Sequence, residues 1–600
     1  MNIGDMLNFL MELSNTEIEE LARGICSPVN LYKVRSGERE LNAVFFYLII
    51  RRLYLSPERF QMMIDADEYV YFSWIYEVNR AVSEKNYGRL QELCSQRQEE
   101  ALEQFRPVID HDLAYIRGIL KQETETDPES AYREFRKAVN YMIGAEGKLM
   151  PGKYGTYELN RYMNYLRLLM ETGRITKEGA KSEFDRILRI AAQNERDPRE
   201  ESKLYPRIIC FMLNTVGSLI PFEIQKELLL RALRCLQRTY ECYDLPELLR
   251  LLCSACRNLQ DSETERYTHW HEAICTAFQT AGCDTGFNWY DSHDGACQTY
   301  LIHEYLRRSR RNAREKAGKR LTQEKVSSGI MEPENYARLE SGKHRPRKEH
   351  YEELTKRMGV RSDLYRGEII TDDPNDFTLV TEIRRAANDS DAERLAVCLK
   401  MLSESLDRRY IENVQFLEQK QVDLDELTGE ITLEEGVQRL IGVLEYTTPY
   451  RPDENHVYSY LEEETLYKIV RDKRFCGILD ETDVEILRCF LKSEEDSKGL
   501  LWPRTCYIMI LLSGILQTQG ENEEAERTAG ECLRELLNVF DAGVLINCLD
   551  ILAESIIVKK ADQAEKLIKA AYWLCDLYQD KENKRILGEY YFRTFELKNN

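Results

Sequence analysis

Residues 321–342 read LTQEKVSSGIMEPENYARLESG, and residues 16–37 read TEIEELARGICSPVNLYKVRSG. Laid over each other at a separation of 305 without a gap, they share Glu19/Glu324, Gly24/Gly329, Ile25/Ile330, Pro28/Pro333, Asn30/Asn335, Ser36/Ser341 and Gly37/Gly342. The same separation continues through Arg52/Arg357, Ile64/Ile369, Asp67/Asp372, Phe72/Phe377, Glu77/Glu382, Arg80/Arg385, Ala81/Ala386 and Leu90/Leu395. These 15 matches lie within the 75 positions of residues 16–90, where chance at ordinary composition gives about one in seventeen. A second series at a separation of 297 joins Leu204/Leu501, Pro206/Pro503, Arg207/Arg504, Met212/Met509, Ala232/Ala529, Cys235/Cys532, Leu236/Leu533, Asp244/Asp541, Leu248/Leu545 and Leu252/Leu549. Self-similarity at a fixed offset predicts two diverged copies of one unit of about 300 residues.

Residues 321–346 also carry a local structural code. Thr322 is a good N-cap, followed by Gln323, Glu324 and Lys325 in a short helix. Gly329 supplies the left-handed conformation that ends it, and Pro333 suits the first turn of the next helix. Val326, Ile330, Tyr336 and Leu339 provide apolar contacts that clamp two helices at a steep angle. Gly342 closes the second helix and Pro346 prevents its continuation.

Charge separates the two copies. The chain carries a net charge of −21, which argues against a protein that coats nucleic acid over its whole surface. Residues 306–350 nevertheless hold 14 Lys or Arg against 6 Asp or Glu, whereas residues 1–45 hold 4 against 7. One basic island therefore sits at the start of copy 2.

Elsewhere the apolar residues recur at helical spacing, as in Leu228, Leu229, Leu233 and Leu236. Only 15 prolines and 30 glycines interrupt 600 residues, and residues 282–295 are rich enough in turn formers to read as a seam. Stretches 127–141, 522–537 and 561–577 resemble tetratricopeptide-like helices, with Ala131, Ala525, Ala564 and Ala571 where helices approach closely. The expected class is all-α. No apolar run nears the roughly 20 residues of a membrane helix, and the opening MNIGDM lacks a basic secretory n-region. With 17 cysteines, an odd number, the expectation is reduced thiols in a cytoplasm.

The 321–346 pattern resembles the bacterial Cro/C1-type (XRE) helix-turn-helix, a lambda-repressor-like fold. That resemblance implies double-stranded DNA as partner, with the second helix in the major groove. It places Gln323 on a phosphate and Glu332, Glu334, Asn335 and Arg338 at base edges, while Lys343, Arg345, Arg347 and Lys348 hold the flanking backbone. Arg307, Arg308, Arg310, Arg311 and Arg314 stand nearby in sequence. Copy 1 keeps the skeleton without the charge, leaving Ser27, Asn30, Lys33, Arg35 and Arg39 as a weak second site. It reads more readily as structural or dimer-forming.

A Cro-type domain followed by a helical arm is similar to the Rgg/PlcR-type bacterial regulators, whose arms dimerise and sense short peptides. The implied domains are a degenerate helix-turn-helix at 1–66, arm 1 at 67–281, a linker at 282–298, a DNA-binding helix-turn-helix at 299–370 and arm 2 at 371–600. Such a chain is a sequence-specific transcriptional regulator with peptide- or protein-binding arms. A homodimer and a single-chain pseudo-dimer both remain open.

No enzyme, cofactor or metal is expected. Cys253, Cys256, His269, His271 and Cys275 read as core packing rather than a metal set. No Gly-rich phosphate loop and no nucleophile or zinc-protease motif occurs. The alternative function is a helical-repeat scaffold whose helix-turn-helix domains no longer bind DNA.

Overall fold

The computed structural model describes residues 3–99, 102–192, 197–290, 298–313, 320–371, 373, 375–496, 505–591 and 593–594. The fold is all-α, with three short strands as its only extended elements among those residues. No helix among them is long and apolar enough to cross a membrane. The chain forms two compact units, and both draw on the first and the second half of the sequence. Pro57–Ser73 joins Ala296–Leu512 in one; Asn2–Ser56, Trp74–Gly295 and Ser513–Asn600 make the other.

In the first unit, strand β1 (Phe60–Ile64) lies between β2 (Thr299–Leu301) and β3 (Tyr365–Gly367). Its sequence FQMMI is buried throughout, so its main-chain groups need partners on both edges. Met62 N–H donates to Gln298 O at 2.8 Å, and Met63 N–H to Leu364 O at 2.7 Å. The antiparallel register sets Phe60 against Gly367, Gln61 against Arg366 and Met62 against Tyr365. Tyr365 and Gly367 stand 305 residues after Phe60 and Met62, the separation found in the sequence. The two strands therefore pair as equivalent strands do about a local two-fold axis.

Four short helices follow β2 and are described below with the site. Later helices of this unit begin with sequence-encoded capping boxes, Thr432 with Glu435 and Ser459 with Glu462. Between them Val422, Val437, Leu440, Leu444 and Ile469 form an apolar cluster.

The second unit is a succession of amphipathic helices that pack on their sequence neighbours. Ala131, Ala525, Ala564 and Ala571 are fully buried where helices meet. Here too a local pairing relates equivalent residues. Cys242 N–H donates to Phe540 O and Ala542 N–H to Tyr240 O, both at 2.8 Å. The exchange matches Tyr240 with Phe540 and Cys242 with Ala542, a separation of 300 rather than 297. Leu245 and Leu545, which open helices Leu245–Leu259 and Leu545–Ile556, share that shifted separation. Helices Thr264–Ala281 and Ala561–Tyr578 return to the separation of 297.

The expected pairing of Asp244 with Asp541 and of Leu248 with Leu545 is thus displaced by three residues. On a helix, positions i and i+3 share a face, so a leucine stripe matches itself nearly as well after such a slip. The expected identities at Leu501, Pro503 and Arg504 lie outside the described residues.

Candidate nucleic-acid interface

Helix Ile302–Asn312 turns Tyr305, Leu306, Arg308 and Ser309 inward. Thr322 caps helix Gln323–Ser327, its hydroxyl accepting from Lys325 N–H at 3.3 Å. Gly329 takes φ +75° and Pro333 opens helix Pro333–Glu340, as the turn chemistry predicts. At the far end Gly342 takes φ +73°, and a Cβ there would sit 3.0 Å from the His303 ring. Helix Lys348–Met358 closes the group through Tyr351, Leu354 and Met358. Val326 and Tyr336 are fully buried and Leu339 nearly so, while Ile330 is only half-buried.

A polar tie holds the two short helices. Arg310 Nε and Nη2 donate to the Glu340 carboxylate at 2.6 and 3.0 Å, and Gln323 Nε2 donates to the same group at 2.6 Å. Burial pushes the Glu340 carboxyl up, but the hydrogen bonds from Arg310 and Gln323 outweigh it and hold it below the usual range. Charge-assisted, two-pronged contacts of this kind fix orientation as well as adding energy. Arg357 Nη1 adds hydrogen bonds to Val326 O at 2.9 Å and Lys325 O at 3.3 Å, and to Ser328 O. Sequence reasoning gave neither Glu340 nor Arg357 a role, although the Arg52/Arg357 identity pointed at the second.

The opposite side of helix Pro333–Glu340 faces solvent. Glu332, Glu334, Asn335 and Arg338 are exposed, as are Lys343, Arg345, Arg347 and Lys348 in and after the following loop. The other sequence-derived cations are spread more widely. Arg308 is buried and donates to Ser493 O and Oγ at 2.8 Å. Arg307 pairs with Glu304, and Arg345 Nη1 lies 3.0 Å from Asp65 Oδ2 and 3.5 Å from Glu68 Oε1. Arg311 is exposed, and Arg314 lies outside the described residues. The basic island is therefore partly neutralised by its own neighbourhood, leaving Arg338 and the 343–348 loop outermost.

Residues 18–37 show a similar frame with different surface chemistry. Ser27 caps helix Pro28–Arg35, Gly24 and Gly37 take positive φ, and Leu31 and Val34 point inward. At Gly24 a Cβ would come within 2.5 Å of the Tyr141 ring, so only glycine fits. The Asn30 carboxamide oxygen accepts from Arg39 Nη1 at 3.0 Å. Arg35 is turned to Asn8, and Lys33 is exposed. Val29 and Tyr32 are 59% and 51% exposed, so this helix offers an apolar face where its counterpart offers Glu334 and Ala337.

Among the described residues no group of three or more His, Cys, Asp or Glu is placed to hold a metal ion. Cys253 and Cys256 are buried, and Cys275 Sγ meets His271 Nε2 at 3.5 Å.

No protein-family model matches the chain, and no curated protein matches it. Solved structures that align with it include PlcR of Bacillus thuringiensis in complex with the peptide PapR7 and DNA, at 13% identity and a TM-score of 0.32, covering 48% of this chain and 98% of that one. ComR from S. thermophilus in complex with DNA and its signalling peptide ComS aligns at 11% identity and TM-score 0.28, covering 49% and 99%. The pheromone receptor Rgg2 of Streptococcus dysgalactiae aligns at 12% identity and TM-score 0.24, covering 49% and 99%.

Proposed function

We propose that this chain is a transcriptional regulator that binds double-stranded DNA through residues 321–348. The observation that carries this reading is the solvent-facing side of helix Pro333–Glu340. There Asn335 and Arg338 stand clear beside the cations of the 343–348 loop, while Arg310, Gln323 and Glu340 brace the helix from behind. Asn matches adenine and Arg matches guanine in a major groove, and Glu334 can accept from cytosine N4. Lys343, Arg347 and Lys348 supply phosphate contacts, which give affinity and register. Arg345 contributes less, because Asp65 and Glu68 already compete for it.

The chain is read as two copies of one unit joined as a single-chain pseudo-dimer. The self-paired strands around Gln61 and Arg366, and the exchange between 240–242 and 540–542, support that reading. The arms are read as the part that meets peptide or protein. For copy 1, exposed Val29 and Tyr32 favour a docking role over DNA reading, because phosphate offers an apolar face nothing.

Enrichment of sheared genomic DNA on the full chain, followed by sequencing, tests this. Wild type should recover a defined motif, and Arg338→Ala should blur one position of it. Recovery of no motif by wild type would leave the scaffold reading as the better one.

A further inference from the structure

We infer that the face shared by helices Arg106–Glu123, Thr156–Glu171 and Pro198–Val216 is a peptide site, built to grip main-chain carbonyls beside aromatic side chains, and that this chain fills it with its own residues 287–290. The inference deepens the arm half of the proposed function and is independent of whether residues 321–348 hold DNA. Sequence alone marked these residues as a seam, and they form neither helix nor strand. Three successive carbonyls accept hydrogen bonds from side chains of the arm. Asn288 O accepts from Arg207 Nη2 at 2.5 Å, and Trp289 O from Asn164 Nδ2 at 2.7 Å. Tyr290 O accepts from Tyr115 Oη at 3.1 Å and Asn160 Nδ2 at 3.4 Å.

The donors Asn160, Asn164 and Arg207 are fully buried. Buried carboxamides and guanidinium groups demand partners, and main-chain carbonyls presented by a turn such as 288–290 satisfy them whatever the side chains. Sequence choice comes from the rings. Phe287 and Trp289 meet Phe211 edge-on at 5.9 and 4.9 Å, with the Arg207 guanidinium 4.7 Å from the Phe287 ring centre. Arg167 lies 4.9 Å from the Trp289 ring and donates to Tyr290 Oη at 2.9 Å. Tyr290 is 5% exposed, whereas Phe287, Asn288 and Trp289 keep one side open to solvent. The occupant is thus seated without being enclosed.

The second copy does not repeat the device. Glu158 and Glu462 occupy the same capping position at the start of helices Thr156–Glu171 and Tyr460–Cys476. Counted on from those two glutamates, Asn160 and Asn164 correspond to Glu464 and Lys468. Glu464 pairs with Arg384 at 2.8 Å and with Lys420, and Lys468 pairs with Asp423. The amides that grip residues 289 and 290 thus give way to ion pairs at the matching positions of the second arm.

The test uses the full chain and a fluorescein-labelled peptide Gly-Phe-Asn-Trp-Tyr, copied from residues 286–290, read by anisotropy. Trp289→Gly with Tyr290→Gly keeps the carbonyls but removes the rings that anchor residues 289 and 290. With that anchor lost the segment should leave the site, so that the labelled peptide, which carries both rings, binds at least tenfold tighter than to wild type. Adding Asn164→Asp, which turns the donor to Trp289 O into an acceptor, should reverse that gain. Equal binding by wild type and the emptied chain, or indifference to Asn164→Asp, overturns the inference. A second measurement does not depend on the glycine variants folding. Chymotrypsin should cut after Phe287, Trp289 or Tyr290 at least tenfold faster in Asn164→Asp alone than in wild type, and equal rates overturn the inference. DNA retention measured on the same samples separates this result from that of the regulator reading.

Discussion

Arg52 and Arg357, 305 residues apart in the sequence, close the same turn of two different helices. Arg52 Nη1 donates to Leu21 O at 2.7 Å and Glu20 O at 3.2 Å. Arg357 Nη1 donates to Val326 O at 2.9 Å and Lys325 O at 3.3 Å, and those four acceptors are themselves equivalent in pairs. A helix of five residues leaves most of its terminal carbonyls without helical partners. A guanidinium satisfies several at once.

Their surroundings differ, so their losses should differ. Arg52 is buried against Glu158, with its Nε 3.2 Å from both carboxylate oxygens, while Arg357 is exposed. Arg357→Ala is expected to cost about 1 kcal/mol, the worth of ordinary hydrogen bonds. Arg52→Ala should cost about 3–5 kcal/mol, because it strands a buried carboxylate. Urea unfolding of both variants measures the gap, and equal costs would contradict a role for burial in setting the two losses apart.

Asp576 accepts from Arg266 Nε at 2.7 Å, Trp270 Nε1 at 2.9 Å and Lys584 Nζ at 2.6 Å, tying helix Thr264–Ala281 to helix Ala561–Tyr578. Trp270 is 4% exposed, so Asp576→Ala leaves a buried donor unpaired at a cost of about 1–3 kcal/mol. The paired change Asp576→Ala with Trp270→Phe should recover part of that loss. A double-mutant cycle in urea checks it, and strictly additive losses would refute the tie.

The pair His456–Glu462, with Nε2 and Oε2 3.2 Å apart, gives the first unit a pH signature. Burial alone would raise the Glu462 carboxyl, but His456 and the Ser459 N–H hold it at about 2, against an ordinary 4.5. Burial pushes the His456 imidazole down, and Glu462 more than reverses this, leaving it above its ordinary 6.5. The Glu462 contribution is present above pH 4.5 and lost as pH falls toward 2. That of His456 is full below pH 6.5 and lost as pH rises through its raised value. The pair therefore stabilises most between about pH 4.5 and 6.5. His456→Gln should abolish the part of any decline in urea midpoint that sets in as pH rises above 6.5; an unchanged decline would assign it to other groups.

The short helices of residues 321–342 were legible because Thr322, Gly329, Pro333 and Gly342 act on their own backbone, within a few residues. The inward turn of Arg308 was not, since its partner Ser493 lies 185 residues away. Nor could Arg345 be seen to meet Asp65 across 280 residues. The 286–290 segment read as a seam because its residue types encode irregular backbone and say nothing about what that backbone packs on. In the later arms a three-residue slip hid inside the leucine stripe, where Leu245, Leu248, Leu249 and Leu252 share one face.

The salt dependence of binding to the recovered DNA motif tests the central claim most directly. Wild type should lose affinity linearly with the logarithm of salt concentration, and Arg347→Ala should flatten that slope by about one unit. Lys33→Ala in copy 1 should leave the slope unchanged. A slope indifferent to Arg347→Ala, or one that falls with Lys33→Ala instead, would contradict the assignment of DNA binding to residues 321–348.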